Sequence, residues 1–187
     1  MNEIKFRGKR VDNGKWVYGY YFQKQNPFSV DGLPITHYIS NVPPFYYVVD
    51  PETVGQYTGM KDGTKWEELS YESQIEWLKH DTAENFHGID IYEGDIVKFE
   101  DTESEYVDVD IGGRGVKVAE IELYNWAEVV KKNGCFGLDI QGSELYENRF
   151  IDFNELIESW NEKFFQECKI IANVHDSPDF IIRRIND

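Results

Sequence analysis

The sequence predicts a β-rich α+β fold, and three observations carry that prediction. Short aromatic and β-branched runs recur along the chain, separated by Asn-Gly, Gly-Gly and Pro-rich breaks. Aromatic residues make up 16% of the 187 positions, supplying the apolar area for a core that disordered chains lack. One segment near the C-terminus switches to helical spacing behind an Asp-x-x-Glu pair.

Residues 1–63 read as an N-terminal β region. Ile4-Lys5-Phe6-Arg7-Gly8-Lys9 and Trp16-Val17-Tyr18-Gly19-Tyr20-Tyr21-Phe22 flank Asp12-Asn13-Gly14. That is a hairpin in which Asn-Gly would supply both positive-φ positions of a type I′ turn. Period-2 geometry puts Ile4 and Phe6 on one face and Lys5, Arg7 and Lys9 on the other. Trp16, Tyr18, Tyr20 and Phe22 likewise share a face. Residues 25–44 hold Pro27, Pro34, Pro43 and Pro44 and read as a loop with one short strand over 36–40. Residues 45–49 have the composition of a buried strand. The turn Asp50-Pro51-Glu52 and a short strand over 54–58 follow, and residues 59–63 break the pattern.

Residues 64–88 read as a helical insertion. Ser70 caps a helix through about Lys79 that would bury Ile75, Leu78 and Trp77. Thr82 would cap a further turn carrying Phe86. A helix this short is marginal alone, so the excursion is expected to pack on the β body or on another subunit.

Residues 89–187 return to strand character. Tyr92, Glu93, Gly94 and Asp95 form a structural turn motif: Gly takes positive φ and Asp accepts a backbone N–H. Two more hairpins center on residues 112–115 and on Asn133-Gly134. Short strands at this spacing suggest a small barrel or sandwich. Asp152 with Glu155 opens one long amphipathic helix to about Gln166, with the stripe Phe153, Leu156, Ile157, Trp160 and Phe164. A strand over 169–174 and a short helix from Pro178 end the chain.

Charge narrows the partners. The net charge is −16, which repels phosphate backbones unless a basic patch outweighs it locally. Lys5, Arg7, Lys9 and Arg10 are the candidate binding residues. Their stripe could steer a nucleic acid or dock the acidic body of a second subunit, although solvation of an outer strand face explains it more simply. The acids Glu100, Asp101, Glu103, Glu105, Asp108 and Asp110 lack a calcium-loop spacing and read as a solvated loop. The dipeptides His80-Asp81 and His175-Asp176 lack further spaced ligands, so no metal and no cofactor is expected. Cys135 beside Phe136 reads as a packed thiol. No apolar run reaches the ~20 residues of a membrane span. The N-terminus lacks an apolar signal core, so a cytoplasmic setting is expected.

Three stretches together resemble the YopX family of phage and prophage proteins: Glu3–Arg10 with Trp16–Gly19, Val54–Gly59, and Ile91–Val97. Gly134-Cys135-Phe136-Gly137 and residues 171–178 are similar to that family's later part, while the insertion departs from its shortest members. The resemblance implies an SH3-like small barrel across 89–187 and a phage setting, with the host cytoplasm as compartment. It implies no particular activity and transfers no catalytic residue. The expected function is therefore binding: an accessory protein-interaction module, oligomeric or engaging a basic partner, among them nucleic-acid-handling proteins. Direct nucleic-acid binding through the basic hairpin is disfavored. The alternative of another class is a metal-dependent nuclease or phosphodiesterase, for which Asp95 is the residue to test.

Overall fold

The computed structural model describes residues 5–25, 35–101, 108–111, 114–117, 123–140, 149–160 and 163–177. The first sheet is built from β1 (Phe6–Lys9), β2 (Trp16–Gln25), β3 (Ile35–Val42), β4 (Phe45–Val48), β5 (Gly55–Lys61) and β6 (Asp90–Tyr92). Its order is β4-β3-β2-β1-β5-β6, with antiparallel neighbors throughout. β7 (Asp95–Asp101) opens the second sheet. β8 (Asp108–Ile111) and β9 (Arg114–Lys117) form a two-stranded ribbon. β10 (Leu123–Lys132), β11 (Cys135–Ile140), β12 (Arg149–Asp152) and β13 (Lys169–Asn173) complete the second sheet in the order β12-β11-β10-β7-β13.

The same dipeptide makes two different turns. Lys132 pairs with Cys135, leaving Asn133 and Gly134 as a two-residue loop with φ of 54° and 86°. That is the primed geometry whose twist matches the flanking strands. In the first hairpin Lys9 pairs with Trp16, and the Arg10 N–H donates to the Lys15 carbonyl at 2.9 Å. The loop is longer there, so Gly14 is left-handed at φ 68° and Asn13 is not.

Two strands differ from the sequence expectation. β4 is an edge strand, and Phe45, Tyr46 and Val48 are exposed rather than buried. Apolar composition does not distinguish an edge from a center. β5 runs on to Lys61 through Gly59 at φ 88°, where its pairing with β6 shifts register.

The C-terminal region corrects the SH3-like barrel and the long amphipathic helix. The second sheet is an open row; among the described residues its edges β12 and β13 share no ladder. Two short helices, α2 (Phe153–Trp160) and α3 (Lys163–Glu167), replace the single long one. The reason lies in Phe165. In a continuous helix it would sit about 18 Å along the axis from Phe153. Here the two rings pack T-shaped with centroids 5.0 Å apart. The chain turns back, and Phe164 and Phe165 both enter the core although they are adjacent in sequence. The Asp152 carboxylate caps α2, accepting from the Asn154 and Glu155 N–H groups at 2.9 and 3.0 Å. The Trp160 side chain and the helix expected from Pro178 lie outside the described residues.

The main core sits on the second sheet. Val97, Phe99, Ala127, Val129, Leu138 and Ile140 meet Phe153, Leu156, Phe164 and Phe165. The first sheet has a smaller buried center at Ile39 and Val49.

The helical excursion follows β5. Ser70 caps α1 (Tyr71–Leu78), its side chain accepting from the Ser73 N–H at 3.2 Å. No α1 residue is buried, and Ile75 and Leu78 face outward, contrary to expectation. Trp66, Phe86 and Trp77 form a small ring cluster instead, with Phe86 5.8 Å from Trp66 and 5.1 Å from Trp77. Buried Asp62 ties both ends of the excursion to the body. Its Oδ1 accepts from the Thr64 and Ile89 N–H groups at 3.0 and 2.8 Å, and its Oδ2 from the Ile170 N–H at 3.1 Å. Gly63 passes so near the Gln166 carbonyl that a Cβ would lie 1.9 Å from its oxygen.

Candidate functional site

Alternation on β1 sends Arg7 to the front of the first sheet, between Tyr18 on β2 and Gly55 on β5. There it is only 7% exposed. Its guanidinium lies between two rings, 4.8 Å from the Trp16 centroid and 4.9 Å from that of Tyr92. Nη1 pairs with Asp95 Oδ1 at 2.7 Å, and Nη2 donates to the Glu93 carbonyl at 3.0 Å. Arg7 Nε is buried without a hydrogen-bond partner.

Asp95 is 1% exposed and both its oxygens are engaged. Oδ2 accepts from the Tyr92 N–H at 2.8 Å, and Oδ1 also accepts from Asn173 Nδ2 at 3.2 Å. Burial pushes the Asp95 carboxyl up from its ordinary range, while Arg7 and these donors oppose the shift. Burial raises the Tyr92 phenol as well.

The turn at Glu93-Gly94 joins the sheets. Gly94 has φ 83°, a left-handed conformation that side chains disfavor. The Glu93 N–H donates to the Gln56 carbonyl of the first sheet at 3.0 Å. The Gly94 N–H donates to the Val129 carbonyl of the second at 2.8 Å, and the Gly94 carbonyl accepts from Val174 N–H and Asn173 Nδ2. Segments far apart in sequence, at Arg7, Gln56, Tyr92–Asp95 and Asn173–Asp176, thus meet at one node.

The other candidate cations face carboxylates of their own chain. Lys9 Nζ pairs with Asp176 at 2.8 Å and donates to the His175 carbonyl at 2.7 Å. Trp16 Nε1 donates to the same Asp176 at 2.9 Å. Arg10 pairs with Asp12 and stacks on Tyr47, 4.3 Å from its centroid. Lys5 lies 3.9 Å from Asp90. Burial, then the positive charges of Arg7 and Lys9, push the His175 imidazole down from 6.5.

In front of this node lies a cleft of about 760 Å³ between the first sheet and α1. Its walls are mostly apolar. Tyr18, Tyr20 and Tyr92 come from the sheet, and Trp77 and Phe86 from the excursion. Beyond Tyr20 the aromatic surface continues across β2, β3 and β4. Phe22 stacks on Tyr38 with centroids 5.2 Å apart, and Tyr46 meets Tyr38 edge-on at 5.3 Å. Phe22, Tyr46 and Val48 are exposed.

The remaining candidates do not converge on this site. Asp108 and Asp110 lie in β8; Glu103 and Glu105 fall outside the described residues, as do the side chains of Glu100 and Asp101. His80 is exposed at the end of α1, and His37 hydrogen-bonds the Tyr21 hydroxyl. Cys135 is exposed rather than packed, whereas Cys168 is buried and its thiol is pushed up to about 12. Among the described residues no three His, Cys, Asp or Glu side chains gather in an arrangement able to hold a metal. None of the described helices is long and apolar enough to cross a membrane.

Sequence reasoning missed Asp62 and Asn173. Asp62-Gly63-Thr64 did carry a signal, since Asp commonly accepts the N–H two residues on. Asn173 carried none, because its partners Gly94 and Asp95 are 79 and 78 residues away. Comparison with protein-family models, with curated proteins and with solved structures finds no match for this chain.

Proposed function

We propose that the chain is a protein-binding module whose contact surface is the aromatic front of β2, β3 and β4. One observation carries this reading. Phe22, Tyr38, Tyr46 and Val48 form an apolar patch on strands that contain no Asp or Glu, in a chain that has 35 of them. Contiguous exposed apolar patches of this kind mark contact sites. The charge around the patch selects the partner. A net charge of −16 steers a basic protein toward the surface, and the neutral rings hold its apolar strip. A second copy of the chain would bring the same net charge against itself. The resemblance to the YopX family supports placing this activity in a phage or prophage setting, where nucleic-acid-handling proteins are the abundant basic partners.

The test compares the wild-type chain with the double variant Phe22→Ser, Tyr46→Ser in capture from a bacterial lysate. Basic proteins held by the wild type, released by salt and lost by the variant are the expected result. Equal capture by both chains would contradict the reading. So would a wild-type dimer that the double variant dissolves, because the occupant would then be a second copy.

A further inference from the structure

We propose that the cleft between the first sheet and α1 is a binding site for a small, uncharged, planar aromatic ligand with a hydrogen-bond acceptor on its rim. This goes beyond the partner surface, because Phe22, Tyr38 and Tyr46 do not line the cleft. Its volume of about 760 Å³ lies within the range of small-ligand sites. In its sheet wall, β1, β2 and β5 pair with neighbors on both sides and present side chains rather than the free edge that an extended peptide needs.

The chemistry of the ligand follows from the walls. Tyr18 and Tyr92 stand on the sheet with ring centroids 5.7 Å apart, and Trp77 and Phe86 on the excursion with theirs 5.1 Å apart. Lys61 reaches from β5 to within 5.9 Å of the Trp77 centroid and links the two walls. A flat ring system between the two ring pairs gains offset or edge contacts with each. Charge argues against an ion. Lys5, Arg7 and Lys61 line the cleft against Glu76, Asp90 and Asp95. Each of these is engaged within the chain: Arg7 with Asp95 at 2.7 Å, Lys61 with Asp90 at 2.8 Å, Lys5 at 3.9 Å from Asp90, and Glu76 with Lys79. His80, on the rim, lies 3.9 Å from the same Glu76. A charged ligand would therefore enter without a counter-ion of its own, which is costly among these rings.

The Tyr92 hydroxyl orients the ligand. Tyr92 is 3% exposed, and among the described residues its hydroxyl has no hydrogen-bond partner. That oxygen is not sealed within the protein, and the residue lines the cleft. Burial raises the Tyr92 and Tyr18 phenols, so both keep their protons and act as donors. A carbonyl or ring nitrogen on the ligand accepts from Tyr92 and satisfies it.

Three small fluorescent probes test this. Methoxycoumarin is an uncharged aromatic with a carbonyl, methoxynaphthalene lacks the carbonyl, and methoxycoumarin acetate carries a negative charge. Methoxycoumarin should bind one equivalent per chain and quench tryptophan emission, with Trp77 at the wall. The acetate should bind about tenfold more weakly. Tyr92→Phe keeps the ring and removes the hydroxyl. It should weaken methoxycoumarin about fivefold, the size of one neutral hydrogen bond, and leave methoxynaphthalene unchanged. Trp77→Leu should weaken both uncharged probes about fivefold through the lost ring contact. Absence of saturable methoxycoumarin binding would overturn the proposal. An acetate that binds as tightly would overturn it too, as would methoxycoumarin affinity unchanged in Tyr92→Phe or in Trp77→Leu. Loss of methoxycoumarin binding in Phe22→Ser would place the probe on the open sheet face and also overturn it. Phe22→Ser should leave probe binding intact while reducing partner capture, so failure of the two readings is distinguishable.

Discussion

The two sheets use aromatic residues in opposite ways. On the second sheet Phe99, Phe153, Phe164 and Phe165 are nearly fully buried beneath α2 and α3. On the first, Tyr18, Tyr20, Phe22, Phe45 and Tyr46 remain exposed, with Phe45 at 67%. Similar composition is therefore buried in one place and left exposed in the other. The helices make the difference. α2 and α3 cover the second sheet, whereas α1 stands off the first and leaves a cleft. The second sheet carries the main core and is tied through Gly94 and Asp95 to the first, which keeps an apolar face exposed.

Breaking the tie should have the largest effect. Arg7→Met strands buried Asp95 and should cost about 3–5 kcal/mol in urea unfolding. Arg7→Met with Asp95→Leu should recover much of that, because both charges leave together. A loss below about 1 kcal/mol for the single variant would mean that the sheets stand independently of the pair. Next comes the second core. Leu156→Ala should cost about 2–5 kcal/mol, measured the same way.

Asp62→Ala sharpens the comparison at the excursion. It leaves the Thr64, Ile89 and Ile170 N–H groups without their acceptor and should cost about 1–3 kcal/mol. Amide exchange across 71–78 should speed up, while exchange in β10 and β11 should change far less. Unchanged exchange in α1 would show that Asp62 does not anchor it. The smallest effect is the pH response of His175. Its imidazole is held below 6.5 in the folded chain, so the unfolded chain binds the extra proton first. The contribution is fully present above pH 6.5 and is lost as pH falls through the lower folded value. His175→Gln should flatten that part of the melting-temperature profile, and an unchanged slope would remove His175 as its source.

Local features were legible in the sequence and distant pairings were not. Asn133-Gly134, the Ser70 cap and the Asp152 cap each depend on neighbors within a few residues, and each is present. The Asp12-Asn13-Gly14 hairpin is present too, but its turn type depends on a register set by the Lys9–Trp16 pair. The long helix failed because an apolar stripe over 153–164 fits one helix or two; only the contact of Phe165 with Phe153 decides. The strand expected over 45–49 looked buried because its residues are apolar, and that no further strand lies beside β4 among the described residues is a tertiary fact. In the site, Gly94 and Asp95 were readable as turn chemistry. Their joining to Arg7 was not, because 86 residues separate Arg7 from the Glu93 carbonyl it bonds.

Front rings that serve a partner rather than the core contribute little to folding. The most direct measurement is the unfolding free energy of the double variant Phe22→Ser, Tyr46→Ser. Cross-strand pairs at an exposed face are worth a fraction of a kcal/mol to about 1 kcal/mol each, so a loss below about 2 kcal/mol is expected. A loss of about 4 kcal/mol or more, equal to emptying a buried site such as Leu156, would place these rings in the core and contradict it.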